Sequence, residues 1–123
     1  MAKLSYCTVG SNRLEDAKAF YDALLDTIGM KPRFEHPSGG RLYAGDAGMF
    51  GVLGPFDKNP ATVGNGSMIG FSLDTPEEVA AFHAKALELG ATTDGDPGER
   101  APGVYFAYFR DLDGNKLCAY KFG

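Results

Sequence analysis

Residues 5–29, SYCTVGSNRLEDAKAFYDALLDTIG, and residues 67–90, SMIGFSLDTPEEVAAFHAKALELG, are two copies of one plan. An offset of 62 residues sets Ser5-Tyr6 on Ser67-Met68 and Ala19-Phe20-Tyr21 on Ala81-Phe82-His83. In each copy a strand leads through a turn into an amphipathic helix that ends on glycine. In the first, residues 4–10 are rich in β-formers, and Asn12 with Glu15 three positions on predicts a helix N-cap and its reciprocal partner. Leu14, Ala17, Tyr21, Leu24 and Ile28 follow at helical spacing, broadened by Phe20 and Leu25, and Gly29 is the stop. In the second, residues 67–73 form the strand. Thr75-Pro76-Glu77-Glu78 is a helix start, with Thr as cap, Pro at the first helical position and Glu at the third. Val79, Phe82, His83 and Ala86 trace its buried stripe, up to the stop at Gly90.

Short strands complete each copy. Residues 32–36, 41–45 and 48–53 are predicted strands, with turns at Pro37-Ser38-Gly39-Gly40 and Asp46-Ala47-Gly48. After the second helix, 94–102 reads as a loop and Val104 to Phe109 as an aromatic strand. Asp111-Leu112-Asp113-Gly114-Asn115 reads as a hairpin turn, and Lys116 to Phe122 as the last strand. The expected fold is therefore α+β: two βαβββ modules forming a curved mixed sheet around a cleft. We expect a single domain over 1–123, with module one at 1–54, a Gly-, Pro- and Asn-rich connector at 55–66 and module two at 67–123.

Composition excludes several classes. The net charge of -4, with no basic cluster, argues against nucleic acid as a partner. No apolar run approaches membrane-spanning length, and the N-terminus enters a strand without a signal-like segment. Two cysteines, Cys7 and Cys118, are too few for a disulfide framework, so a cytoplasmic location with free thiols is expected. The 17 glycines are scattered at turns and strands, which fits tight hairpins. There is no phosphate-binding glycine motif between strand and helix, and no nucleophile-elbow serine.

Three stretches carry a family resemblance: Val9-Gly10 leading to Leu14-Glu15 and Ala19-Phe20-Tyr21; Phe82-His83-Ala84 with Leu89-Gly90-Ala91; and Arg110-Asp111-Leu112-Asp113-Gly114-Asn115. With the repeat, they make the chain similar to the vicinal oxygen chelate superfamily of glyoxalase I, bleomycin-resistance proteins, fosfomycin-resistance enzymes and extradiol dioxygenases. The last stretch differs from the family's R-D-P-D-G-N turn in having Leu112 for Pro. The resemblance implies a homodimer. It also implies that metalloenzymes of the family hold one His or Glu ligand on each of four cleft-lining strands. Those positions fall on Tyr6, Gly51, Met68 and Cys118 here. Glycine and methionine do not substitute for a carboxylate or imidazole on a divalent metal, and a catalytic site generally needs three protein ligands.

The sequence-based expectation is thus a glyoxalase/bleomycin-resistance-like protein that binds a small organic molecule in the inter-module cleft without metal or other cofactor. The expected lining is Tyr6, Thr8, Gly51, Met68, Tyr108 and Cys118. Tyr105, Phe106, Tyr108 and Phe109 crowd one strand, with one parity facing a helix and the other the cleft. Arg41 shares a parity with Tyr43 and is a candidate contact for an anion. The alternative is a metal-dependent glyoxalase I-like lyase/isomerase or dioxygenase, with Zn, Ni, Mn or Fe on relocated ligands drawn from Glu35, His36, Cys7 and Cys118. Whether any reaction occurs is left open. If one does, it is lactoylglutathione lyase-like, and Cys118, His36 and Glu35 are the candidate catalytic residues. A third possibility is a small domain that serves partner contact.

Overall fold

The computed structural model describes residues 1–46 and 48–123. Two compact units are present, Met1–Val63 and Gly64–Gly123. Each contains one helix on one face of a four-stranded mixed sheet.

In the first unit the chain runs β1 (Tyr6–Gly10), α1 (Leu14–Asp26), β2 (Lys31–Glu35), β3 (Arg41–Ala44) and β4 (Met49–Leu53). The sheet order is β1-β4-β3-β2. β1 pairs with β4 in parallel, while β2–β3 and β3–β4 are antiparallel hairpin pairs. The turn expected at Asp46-Ala47-Gly48 includes Ala47, which lies outside the described residues. The stripe read from the helix is the buried one: Ala17, Phe20, Tyr21, Leu24 and Leu25 lose nearly all exposure. They pack on Tyr43, Phe50 and Val52, and the Tyr21 ring lies 4.9 Å from Phe50. Burial of each large aliphatic or phenyl side chain among them stabilises by about 1.5–3 kcal/mol. Gly29, at φ +80, ends the helical segment where a side chain would be strained.

The cap of α1 differs from the sequence expectation. Its N-cap is Arg13, which makes no side-chain capping bond. Asn12 instead reaches across the chain. Its carboxamide donates to the Ala61 carbonyl at 2.9 Å and accepts from the Ala61 amide at 2.7 Å. That two-point bond mimics a strand pair and fastens the long loop after β4 to the start of α1, so the side chain is not available to the helix end. Gly10 permits the same approach, because a Cβ there would sit 2.9 Å from the Ala61 Cβ.

The second unit runs β5 (Ile69–Ser72), α2 (Pro76–Glu88), β6 (Thr92–Ala101), β7 (Val104–Arg110) and β8 (Lys116–Phe122), in sheet order β5-β8-β7-β6. Again the outer strand β5 pairs in parallel with β8, and the other two pairings are antiparallel. α2 begins and ends 62 residues after α1, at Pro76 and Glu88 against Leu14 and Asp26. Here the predicted cap forms: the Thr75 hydroxyl accepts from the Glu78 amide at 3.1 Å, with Pro76 opening the helix. Phe82 is the central packing residue, its ring 5.6 Å from Phe71 and 5.9 Å from Phe109. His83 is buried beside it. Its Nε2 lies 2.9 Å from the Thr93 hydroxyl and 3.2 Å from the Tyr108 carbonyl, so it is a satisfied packing histidine.

Of the segment 94–102, expected to be a loop, all but Pro102 belongs to the edge strand β6, which shifts register after Thr93, Gly95 and Glu99. Gly95, Pro97 and Gly98 suggest a loop in the sequence, but an edge strand tolerates them. Its outward amides need no ladder partner, and bulges absorb the extra residues. The turn at 111–115 follows the expectation. Asp111 Oδ1 accepts the amides of Asp113 and Asn115 at 3.0 and 2.9 Å, and Asn115 Nδ2 donates to Asp111 Oδ2 at 3.0 Å. Gly114, at φ +90, supplies the left-handed residue.

Because Thr75 satisfies an otherwise orphaned amide, Thr75→Ala is expected to destabilise the chain by ~1 kcal/mol, with Thr75→Ser nearly neutral. Urea unfolding followed by circular dichroism measures this. Equal midpoints for the wild type and Thr75→Ala would show that the cap contributes nothing.

Candidate functional site

Strand alternation divides each sheet into a helix-covered face and an uncovered face. In the first unit Phe50, Val52 and Tyr43 point to α1. Their register partners Cys7 and Val9 share that face. Tyr6, Thr8, Leu42, Met49, Gly51 and Leu53 therefore occupy the other. Thr8 stands directly against Gly51 across the parallel pair. A Cβ at Gly51 would meet Leu42 Cδ2 at 3.2 Å and Thr8 Cγ2 at 3.3 Å, so neighbouring side chains already fill that space.

In the second unit Phe71, Ala107, Phe109, Leu117 and Ala119 form the α2 side. The uncovered face carries Gly70, Phe106, Tyr108, Lys116, Cys118, Tyr120 and Phe122 by register. Gly70 pairs with Cys118 just as Thr8 pairs with Gly51. The duplicated parallel pairing thus puts Gly51 and Cys118 at corresponding places. Met68 lies one residue ahead of β5, and it and Tyr6 are each about half exposed, at 46% and 52%. All six expected lining residues stand on uncovered faces or, for Met68, at the edge of one. Each set is defined within its own unit.

The candidate catalytic residues are placed otherwise. Cys118 is buried under its neighbours, and desolvation pushes its thiol up to about 11 against a smaller opposing pull from Lys116. It is a neutral thiol near pH 7, not an activated nucleophile. Burial also raises the Cys7 thiol. Glu35 holds Arg41 with both oxygens, at 2.6 Å to Nε and 3.1 Å to Nη2. The Arg41 guanidinium keeps this carboxyl below its usual range, which makes Glu35 a weaker base than a free glutamate. Arg41 Nη1 donates to Asp22 of α1 at 2.7 Å, and the Tyr43 hydroxyl donates to the same carboxylate at 2.6 Å. Arg41 is thus committed behind the sheet, on the helix side, and does not present itself to an anion on the uncovered face. His36 serves its own turn: Nδ1 accepts from the Ser38 amide at 3.2 Å and lies 2.8 Å from the Ser38 hydroxyl. The Ser38 oxygen accepts in turn from the Gly54 amide at 2.9 Å. Among the described residues, no three His, Cys, Asp or Glu side chains come together as a group able to hold a metal ion.

The structure adds residues to the expected lining. Phe106 stacks on Tyr108, with centroids 5.5 Å apart and planes 13° apart, and on Tyr120 at 5.2 Å and 16°. Phe122 closes the group 5.1 Å from Tyr120. Tyr120 and Phe122 share the parity of Cys118, and Phe106 that of Tyr108, so period-two reading contained this signal. The Arg100 guanidinium carbon lies 5.5 Å and Lys116 Nζ 5.0 Å from the Tyr108 ring centroid. Arg100 was hidden because its segment reads as loop.

A family model for the Glyoxalase/Bleomycin resistance protein/Dioxygenase superfamily matches residues 3–119. The chain is similar to the crystal structure of a glyoxalase/bleomycin resistance protein from Albidiferax ferrireducens T118, with 46% identity, TM-score 0.88, and 97% of this chain and 98% of that chain covered. It shares its fold with a lactoylglutathione lyase from Agrobacterium tumefaciens at 19% identity and TM-score 0.72, covering 98% of this chain and 93% of that one. A genomically encoded fosfomycin resistance protein from Listeria monocytogenes is alike at 16% identity and TM-score 0.73, with the same coverage of 98% and 93%. No curated protein matches the chain. The twin βαβββ units and a family match spanning nearly every residue agree: this chain belongs to the glyoxalase/bleomycin resistance protein/dioxygenase superfamily.

Proposed function

We propose that this protein binds a small organic molecule on the uncovered faces of its sheets, without a metal. The observation that carries this reading is the chemistry at the four positions corresponding to the family's metal ligands. Tyr6 offers a half-exposed phenol, Gly51 no side chain, Met68 a thioether and Cys118 a buried protonated thiol. A hard divalent cation finds no carboxylate or imidazole among them. The Gly51 space is taken by Leu42 and Thr8, so nothing longer stands in for a ligand there. What these faces do offer is polarisable and aromatic surface, suited to an organic ligand.

The metal-dependent alternative, a lactoylglutathione lyase-like reaction on Glu35 and His36, has less support. Glu35 is engaged by Arg41, and His36 by its own turn. A homodimer and a cytoplasmic location belong to the same proposal. The free thiols of Cys7 and Cys118 agree with the second.

These outcomes are expected. Elemental analysis of protein purified without added metal gives far less than one equivalent of Zn, Ni, Mn or Fe per chain. The neutral probe N-phenyl-1-naphthylamine binds with a fluorescence increase that EDTA does not alter, and Met68→Ala weakens it by about threefold to tenfold. A near-stoichiometric metal, or chelator-sensitive turnover of methylglyoxal hemithioacetal, would overturn the reading. Iodoacetamide labelling of Cys118, followed by mass spectrometry, rises toward pH 11 in the folded chain and near the ordinary value of 9.0 in denaturant. The raised thiol also stabilises the fold below pH 9, and this contribution is lost as pH climbs from about 9 to about 11. Labelling that is already fast at pH 7.5 in the folded chain would contradict a buried neutral thiol. Light scattering on a sizing column is expected to give twice the chain mass of 13.1 kDa, and a monomer would remove the dimer from the proposal.

A further inference from the structure

The uncovered face of the second sheet combines two features that differ in kind. One is the aromatic row of Tyr120, Phe106 and Tyr108, with Phe122 at its end and 57% exposed. The other is a cationic margin beside Tyr108. Arg100 arrives from β6 and Lys116 from β8, each within cation–π range of that ring. Arg110, which shares the parity of Lys116 and Tyr108 by register, extends the margin.

The cations on this margin are not equally paired. Asp94 is the carboxylate that pairs with both Arg110 and Lys116, at 3.2 and 3.1 Å. The other nearby acids are turned to different tasks, Asp96 accepting from the Thr93 hydroxyl at 3.0 Å and Glu99 from the Gly103 amide at 3.2 Å. Arg100 donates to the backbone carbonyls of Gly98 and Asp96, at 3.0 and 2.8 Å. Carbonyls orient a guanidinium but leave its charge uncompensated. Arg100 is thus the cation of this margin that makes no ion pair among the described residues, although Asp96 and Glu99 keep their charge. The placement of Arg100 is also built in. A Cβ at Gly95 would lie 2.8 Å from Tyr108 Cδ2 and 3.4 Å from Arg100 Nη2, and one at Gly98 would lie 3.1 Å from Arg100 Nη1. The two glycines of β6 clear the space that ring and guanidinium occupy.

We propose that this face selects planar organic anions, whose ring lies against Phe106, Tyr120 and Phe122 while the carboxylate or sulfonate is met by Arg100 and Lys116 beside Tyr108. The inference rests on the reading that the uncovered faces bind a small organic molecule, and it names the class. Tyr108 and Tyr120 take the two faces of Phe106, so a flat apolar body meets this row edge-to-face. A guanidinium fork matches a planar delocalised anion, and an uncompensated cation favours it over a neutral or cationic ligand. No bond chemistry is involved.

The test compares 2-naphthoate with 2-naphthylmethylammonium, two flat ligands of opposite charge, by isothermal titration calorimetry on the full chain at low salt. Naphthoate is expected to bind about tenfold or more tightly than the ammonium compound, with the advantage shrinking as salt rises. Arg100→Gln and Lys116→Gln are each expected to weaken naphthoate by about threefold to tenfold and to leave the ammonium ligand unweakened. Arg100 is exposed, and circular dichroism checks that both variants are folded. Equal affinities, a preference for the cation, or naphthoate affinity unchanged in both variants overturns the proposal. If N-phenyl-1-naphthylamine still binds in that case, the broader small-molecule reading survives. If neither naphthalene compound nor the neutral probe binds, both readings fail together.

Discussion

Everything in this protein follows from a helix that covers only one side of its sheet. In each unit thirteen helical residues bury a stripe of large side chains against alternate strand positions, Tyr21 on Phe50 in one and Phe82 on Phe71 and Phe109 in the other. That burial fixes strand parity, because a slip by one residue would turn every core side chain outward. Once parity is fixed, the opposite face is equally determined. Tyr6, Thr8 and Gly51, and likewise Cys118, Tyr108 and Tyr120, stand where they do because their neighbours in sequence are held under a helix.

The parallel pairing of the lead strand with the last strand gives the duplication its functional meaning. Thr8 opposite Gly51 and Gly70 opposite Cys118 are the same contact made twice. Duplication has kept the scaffold and let the side chains diverge. One unit keeps a small hydroxyl against a glycine, and the other a glycine against a buried thiol. The first unit places its arginine behind the sheet, where Asp22 and Glu35 hold it. In the second, positive charge lies on the uncovered face beside an aromatic row. The two units are therefore alike in fold and unlike in the surfaces they offer, which is how one superfamily can serve many chemistries.

Much of this was legible in the chain. The repeat, both helices, the Thr75 cap, the glycine stops and the aspartate-rich turn are local, and local preference carried them. The errors were non-local. Asn12 has the sequence signature of a cap, yet Ala61, far along the chain, takes its carboxamide. Gly95, Pro97 and Gly98 have loop chemistry, yet β7 offers a ladder on which a bulged edge strand forms. Arg41 has the parity of a ligand contact, but which side of the sheet that parity faced depended on where α1 packed.

The amino-acid order by itself determined the duplicated strand–helix plan and the parity of the strands other than β6, because hydrophobic period and turn chemistry act between near neighbours. It also determined that carboxylates and imidazoles are missing from the four positions implied by the resemblance, since that is a matter of identity alone. Only the tertiary structure decided which parity was covered, that Glu35 and Arg41 neutralise each other, that the Cys118 thiol is shielded, and that Arg100 lies over Tyr108. Each of those depends on groups distant in sequence being brought within a few ångströms, where desolvation and charge act and where local preference carries no information.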